Sequence, residues 1–150
     1  MPRRELRQPG QVENWVQELS KQLTQSGRMT LIGSGALLWH AAQRGITEPL
    51  SENSMDVDPI TDSDEIARLC YDALIGSEFE RTHGWHVNLM PESVLKEFPA
   101  GWPDRAVKKT YSHLELVVPA PLDLLSPKLK RGEPRDHAHA AWAKRVGLLS

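Results

Sequence analysis

The spacing of apolar residues along the chain alternates between a helical period and a strand period. An amphipathic helix over about residues 10–26 is predicted by apolar side chains three or four positions apart, namely Val12, Trp15, Val16, Leu19 and Leu23. A short apolar run at residues 29–32 then enters the turn Gly33-Ser34-Gly35, after which a buried helix extends to just before Gly45. The predicted order is therefore helix, strand, small-residue turn and helix.

A second strand, at residues 54–60, is predicted to carry two aspartates on one face. Met55 and Val57 alternate there with Asp56 and Asp58, and successive side chains of a strand point to opposite faces. A further helix follows, because apolar residues recur at helical spacing at Ile66, Leu69, Cys70, Ala73 and Leu74. The two carboxylates thus lie on the strand that follows the glycine-serine turn.

The rest of the chain continues the mixture of strands and helices. Strands are predicted at residues 85–90 and 114–118, a short helix at 91–98 and a turn at 99–103. The C-terminal segment, about 121–148, is predicted to be helical and to be broken or kinked at Pro127, with an alanine-rich helix over about 136–146. This order predicts an α/β (α+β) fold in which a small mixed sheet is flanked by helices.

Composition and charge indicate one folded domain, residues 1–150, with a core over about 29–120. With 150 residues, 39% of them hydrophobic and 25% charged, the chain has the size and composition of a single globular domain. The net charge of -2 gives no attraction of the whole molecule to nucleic acid or membranes, so a polyanion site must be local. No apolar run reaches membrane length and the basic start lacks an apolar signal segment, so we expect a cytoplasmic protein with no membrane partner.

The two aspartates of the predicted strand form the first candidate for chemistry. Like charges two residues apart on one strand face repel each other, and a hard divalent ion such as Mg²⁺ relieves this repulsion while accepting substrate phosphate oxygens. Alone, the Asp-x-Asp pattern at Asp56 and Asp58 is a weak signal, because solvated strand faces and loops often carry it.

The turn Gly33-Ser34-Gly35 is the second candidate. A strand that runs through small residues into a helix exposes backbone N–H groups at the helix N-terminus, where a phosphate binds favourably. The same turn is also explained by a tight strand-to-helix connection that needs glycine for its backbone angles. Turn and aspartates together form an ordered pair, a phosphate cradle followed by metal carboxylates on the next strand.

This pair resembles the signature of the nucleotidyltransferase superfamily, in which a Gly-Gly or Gly-Ser opens a helix and Asp-x-Asp follows on the next strand. More narrowly, the chain resembles the small bacterial branch of abortive-infection (AbiEii-like) toxins and uncharacterised nucleotidyltransferase-like proteins. The resemblance spans roughly residues 29–140. It includes strand-like stretches at 85–89 and 114–118, and a lysine element and an Arg-Asp element at 123–129 and 131–136.

The resemblance implies transfer of a nucleotidyl group from a nucleoside triphosphate to an RNA or protein acceptor. It implies that Asp56 and Asp58 hold Mg²⁺ or Mn²⁺, and that Gly33 and Ser34 grip the phosphates. Further phosphate contacts are implied for basic residues of the C-terminal segment, namely Lys128, Arg131 and Arg135. It also implies that the protein acts as the toxin of a toxin–antitoxin system, with an antitoxin as its partner.

The sequence departs from the superfamily at the third carboxylate that active members usually carry on a later strand. The natural match is Asn88, and an amide cannot act as a general base. Glu115 is a substitute candidate for a catalytic role, because it is the single charge in an otherwise apolar strand and is costly to bury unpaired. An outward-facing position of Glu115 explains it equally well.

A second class of function is therefore open beside the enzyme. The absent third aspartate favours a catalytically degraded nucleotidyltransferase fold that binds a nucleotide or a protein partner. A haloacid-dehalogenase-like phosphatase fits poorly because polar residues 51–54 precede the aspartates, and a sugar-nucleotide glycosyltransferase needs a longer chain. The six histidines are interpreted as solvent-facing or structural, since no cysteine accompanies them at zinc spacing.

Overall fold

The central strand of the molecule is the first one in the chain. The computed structural model describes residues 6–51, 54 and 56–149. In it β1 (Gly27–Ile32) pairs antiparallel with β2 (Asp56–Thr61) and parallel with β5 (Leu114–Val118). The short strand β3 (His86–Val87) adds parallel to β2, and β4 (Val107–Tyr111) adds antiparallel to β5. The sheet is therefore mixed, with strand order β3-β2-β1-β5-β4.

Helices flank this sheet, which confirms the predicted fold class. They are α1 (Pro9–Gln22), α2 (Gly33–Gln43), α3 (Asp64–Tyr71), α4 (Glu78–His83), α5 (Trp102–Arg105), α6 (Pro121–Arg131) and α7 (Pro134–Arg145), together with a 3₁₀ helix at Glu92–Glu97. Helix α1 packs on α2, and α6 packs on α7 and α2. Within the described residues, no helix is both long and apolar enough to cross a membrane.

The core follows from the apolar spacing of the elements around β1 and α2. Val12, Val16 and Leu19 recur on one side of α1 and are buried there, as amphipathic spacing requires. Helix α2 is apolar on nearly all sides, and its residues from Ser34 to Ala41 are buried between α1, the sheet and α6. This burial fixes the start of α2, where the site lies.

Several predicted elements differ from the structure. The strand predicted at residues 85–90 is reduced to two residues, and the turn predicted at 99–103 runs into the short helix α5. Helix α4 and strand β4 were absent from the prediction. Four of the five residues of β4 are exposed, so this edge strand lacks the apolar alternation that marks a half-buried strand.

The predicted break at Pro127 is wrong, because α6 runs through it from Pro121 to Arg131. A proline in a helix interior removes one backbone donor, whose acceptor here would be the carbonyl of Asp123, four residues earlier. The helix nevertheless continues for one more turn and ends at Gly132, which has a left-handed backbone. Helix α6 packs against both α7 and α2 in the structure.

Candidate functional site

The antiparallel pairing of β1 and β2 brings the glycine-serine turn to the aspartates. Ile32, the last residue of β1, is the register partner of Asp58, and α2 begins at Gly33 directly afterwards. Gly33 has a backbone φ of 77°, and a Cβ atom at this position would collide with Asp58 Oδ2. Glycine is therefore required here for its backbone angle and for the close approach of the carboxylate.

Asp56 and Asp58 are half-buried side chains on the same face of β2, as the alternating pattern predicts, and the buried Val57 separates them. Both line a cavity of about 850 Å³ together with Gly33 and Ser34. The structure thus brings the four central residues of the sequence prediction to one place.

The electrostatics of the aspartate pair favour a cation. Burial, and next the negative charge of Asp56, raise the pKa of Asp58 to about 7. Asn88 donates a hydrogen bond from Nδ2 to Asp58 Oδ1 over 3.3 Å, which offsets part of this effect. The Asp58 carboxylate and the neighbouring Asp56 carboxylate, which opposes its ionisation, are a donor set that fits Mg²⁺ or Mn²⁺.

No group of three or more His, Cys, Asp and Glu side chains close enough to share a metal ion occurs among the described residues. The residues around the aspartates that the structure describes therefore supply two carboxylates. Asn88 lies where the third would be expected, on the segment that follows β3, and lines the cavity.

Ser34 supports the turn through its side chain. Its buried hydroxyl donates to Ser54 Oγ over 2.7 Å, and Ser54 in turn donates to the backbone oxygen of Asp56 over 3.3 Å. This chain of hydrogen bonds ties the first turn of α2 to the start of β2. The N–H groups of a first helical turn have no partner within the helix, so they are available to an anion in the cavity.

A basic wall closes the cavity on the side of α6 and α7. Lys128, Arg131 and Arg135 line it, as the sequence prediction requires for phosphate contacts, and Lys96 and Lys130 add two further positive charges. The cavity therefore faces an anionic ligand with cations although the whole chain carries a net charge of -2. Burial lowers the pKa of Lys128, and the charge of Asp136 opposes this effect.

Glu115 is the one candidate site residue that the structure does not bring to the cavity. It is the register partner of Arg28, four residues before the end of β1, which is about 13 Å along the strand from Ile32. Its carboxylate forms an ion pair with Arg28 over 3.1 Å, and its side chain is 41% exposed. The alternative explanation, an outward-facing strand residue, describes this position, so we leave Glu115 out of the proposed site.

Sequence reasoning missed the contribution of two residues. Ser54 lines the cavity, and only the three-dimensional pairing with Ser34 shows its role. His139, interpreted from the sequence as solvent-facing or structural, is buried and lines the cavity beside Lys128. The sequence could have indicated this position of His139, because it lies three residues after Asp136 on a predicted helix and both side chains therefore share one face.

A glycine-serine turn that opens a helix and faces paired aspartates on the next strand is the arrangement of the nucleotidyltransferase class. Residues 10–144 match the profile of a family described as "Nucleotidyltransferase of unknown function (DUF6036)". The match covers most of the chain, so the protein belongs to this family. No curated protein and no solved structure shows significant similarity to it.

Proposed function

We propose that this protein transfers a nucleotidyl group from a nucleoside triphosphate to an RNA or protein acceptor, with Mg²⁺ or Mn²⁺ as cofactor. The observation that carries the proposal is the convergence of the Gly33-Ser34 turn, the Asp56–Asp58 pair and the basic residues Lys128 and Arg131 on one cavity. Membership of a nucleotidyltransferase family supports the same reaction class.

Each group of residues has a distinct part in this proposal. Asp56 and Asp58 would hold the divalent cation, which when bound bridges the triphosphate and stabilises charge on its oxygens. Gly33, lacking a side chain, allows the Asp58 carboxylate to approach the first turn of α2, whose N–H groups would face the phosphates. Lys128 and Arg131 supply the remaining positive charge, the first as a compact ammonium ion and the second as a planar fork.

The acceptor and the biological setting are proposed on the resemblance alone. The resemblance of the glycine-serine and Asp-x-Asp motifs to those of abortive-infection toxins is the ground for proposing a toxin of a toxin–antitoxin system, with an antitoxin as partner. RNA and protein are alternative acceptors in this proposal, and the assay below separates them because each is offered in turn.

The decisive experiment is a label-transfer assay. The protein is incubated with each of the α-labelled nucleoside triphosphates, Mg²⁺ or Mn²⁺, and either total RNA or total protein. We expect transfer to one acceptor class, and a loss of at least about a hundredfold in the Asp58→Asn variant, because one of the two carboxylate ligands is removed.

A matched control is available directly after the same strand. Asp62 is an exposed carboxylate outside the aspartate cavity, so Asp62→Asn is expected to retain wild-type transfer. Equal losses in the Asp58 and Asp62 variants would contradict the assigned site. Glu115→Gln is expected to retain transfer as well, since Glu115 lies outside the cavity.

One observation favours a second candidate function. Asn88 stands at the expected third-carboxylate position and donates to Asp58. A catalytically degraded fold that binds a nucleotide or a protein partner is consistent with this contact. Nucleotide binding without label transfer in any reaction would support this binding-module function over the enzyme.

A further inference from the structure

Helices α6 and α7 meet at a buried carboxylate directly behind the basic wall of the cavity. Asp136 is only 1% exposed. It accepts hydrogen bonds from Arg131 Nε over 2.9 Å and from Arg131 Nη2 over 2.6 Å. Its Oδ1 atom also lies 3.6 Å from the Lys128 nitrogen. One carboxylate that does not itself line the cavity thus contacts two cations that do.

A second residue of α7 also contacts Lys128. His139 is 1% exposed, and its Nδ1 atom lies 3.3 Å from Lys128 Nζ. Nδ1 accepts this hydrogen bond in the tautomer that carries its proton on Nε2. Because residues three apart lie on one helix face, Asp136 and His139 present both groups to α6 together.

The geometry leaves the Lys128 ammonium ion able to bind an anion. Asp136 is already satisfied by the Arg131 fork and by the backbone N–H of Glu133, and at 3.6 Å its contact with Lys128 is beyond hydrogen-bond distance. An ammonium group has three hydrogen-bond donors. Among the described residues, Lys128 uses one of them, in its hydrogen bond with His139. The side chain is 12% exposed, at the cavity wall.

We propose that Asp136 and His139 are positioning residues that hold Lys128 and Arg131 at the cavity as a clamp for the triphosphate. This inference rests on the proposed function, which it deepens. The carboxylate fixes the guanidinium fork and favours the charged form of the lysine, while the imidazole sets the direction of the ammonium group. An ion held by buried partners loses little further side-chain entropy when a ligand arrives.

Binding of an inorganic probe tests the clamp directly. The affinity of the full-length protein for magnesium tripolyphosphate is measured by calorimetry for the wild type and for Asp136→Asn. We expect the variant to bind about tenfold more weakly, as is typical when a supporting residue behind a ligand-binding group is lost.

The chain offers a closely matched control. Asp123 is another buried carboxylate, and it receives a two-pronged contact from Arg105 at 2.9 and 2.8 Å, but neither residue lines the cavity. Asp123→Asn is expected to lower the melting temperature and to leave tripolyphosphate affinity unchanged. If Asp123→Asn weakens binding as much as Asp136→Asn does, the effect is one of general destabilisation and the clamp is refuted.

A double-mutant cycle isolates the contribution of His139 to tripolyphosphate binding. His139→Gln is expected to weaken binding severalfold in the wild type and to have no further effect in a Lys128→Ala background, because His139 acts through the lysine. Equal losses in both backgrounds would overturn the positioning role. This cycle also decides the matter if Asp136→Asn fails to fold.

A readout without ligand separates the clamp from the proposed function. NMR titration of the Lys128 side chain is expected to show a lower pKa in Asp136→Asn than in the wild type, because a stabilising negative charge is lost. Absence of tripolyphosphate binding by the wild type would overturn both the proposed function and the clamp, whereas equal binding by the wild type and Asp136→Asn would refute the clamp alone. An unchanged Lys128 pKa in Asp136→Asn would refute the clamp whatever the binding result.

Discussion

At the scale of single residues, the tightest constraint in the site is the one that Asp58 places on Gly33. A side chain at position 33 must adopt a positive φ and also displace the carboxylate. We expect Gly33→Ala to reduce the free energy of unfolding by about 2 kcal/mol or more and to abolish phosphate binding. Urea denaturation and tripolyphosphate calorimetry measure the two effects.

Gly45 supplies the control for the backbone angle alone. Its φ is 71°, close to that of Gly33, but an added Cβ atom would meet nothing within 4 Å. Gly45→Ala should therefore cost about 1 kcal/mol and leave binding unchanged. Identical losses at positions 33 and 45 would show that the approach of Asp58 is not what requires glycine.

The ionisation of Asp58 makes the free energy of unfolding of the protein depend on pH. Its pKa of about 7 in the folded protein lies above the ordinary value, so the ionised carboxylate lowers the free energy of unfolding above pH 7. This cost diminishes as the pH falls below 7 and is gone below the ordinary pKa of 3.8, where the group is protonated in both states. The paired carboxylates thus lower the free energy of unfolding at neutral pH, and a bound cation would neutralise their charge.

Asp58→Asn is accordingly expected to stabilise the protein in the absence of divalent cations. The gain should be on the order of 2–4 kcal/mol at about pH 8 and close to zero at about pH 4, because each unit of pKa shift corresponds to about 1.4 kcal/mol. Urea titrations in a chelating buffer at the two pH values measure it. A gain in the free energy of unfolding that is the same at both pH values would rule out the raised pKa of Asp58 as its cause.

At the scale of elements, Pro127 is the residue of α6 whose intrinsic preference opposes a helix. Pro127→Ala restores a backbone donor for the carbonyl of Asp123, so we expect the free energy of unfolding to rise by about 1–3 kcal/mol. Circular dichroism during thermal unfolding measures the change. Pro121 is the control, because it occupies the first turn of the same helix, where no hydrogen bond is lost to proline.

Pro121→Ala should leave stability unchanged or lower it, since Pro121 is buried and its ring packs in the core. A gain in stability from Pro121→Ala equal to that from Pro127→Ala would argue against a hydrogen-bond origin.

Apolar periodicity predicted the elements that bury one face, and failed for those that do not. Helix α1 and strand β5 were predicted at or near their observed positions because their apolar residues face the core. Strand β4 carries exposed Lys108 and Lys109 at the sheet edge, and α4 has no buried residue. Without a buried face, an element leaves no periodic signal in the sequence.

At the scale of the whole molecule, the cavity and the net charge have opposite signs. Five basic residues and three carboxylates, those of Asp56, Asp58 and Glu97, line the cavity, while the chain as a whole carries a charge of -2. Tripolyphosphate affinity should therefore fall severalfold between about 50 and 500 mM salt, because local attraction to partly exposed cations is screened. Calorimetry at several salt concentrations measures it, and salt-independent binding would show that these cations do not contribute.

The local chemistry of the site can be derived from the order of the amino acids. Two aspartates on one strand face and a glycine-serine turn before a helix are properties of neighbouring residues, and strand and helix periods are sufficient to derive them. The structure confirms the strand face of Asp56 and Asp58, and it begins α2 at Gly33, within the residues predicted as the turn.

Which distant groups meet in the site depends on contacts between elements of the fold. Glu115 and Lys128 were both candidates from the sequence, but the parallel register of β5 with β1 places Glu115 beside Arg28, while the packing of α6 on α7 places Lys128 at the cavity. The same packing buries Asp136 and His139 behind it. Strand register and helix packing depend on contacts between residues far apart in the chain, which local periodicity does not encode.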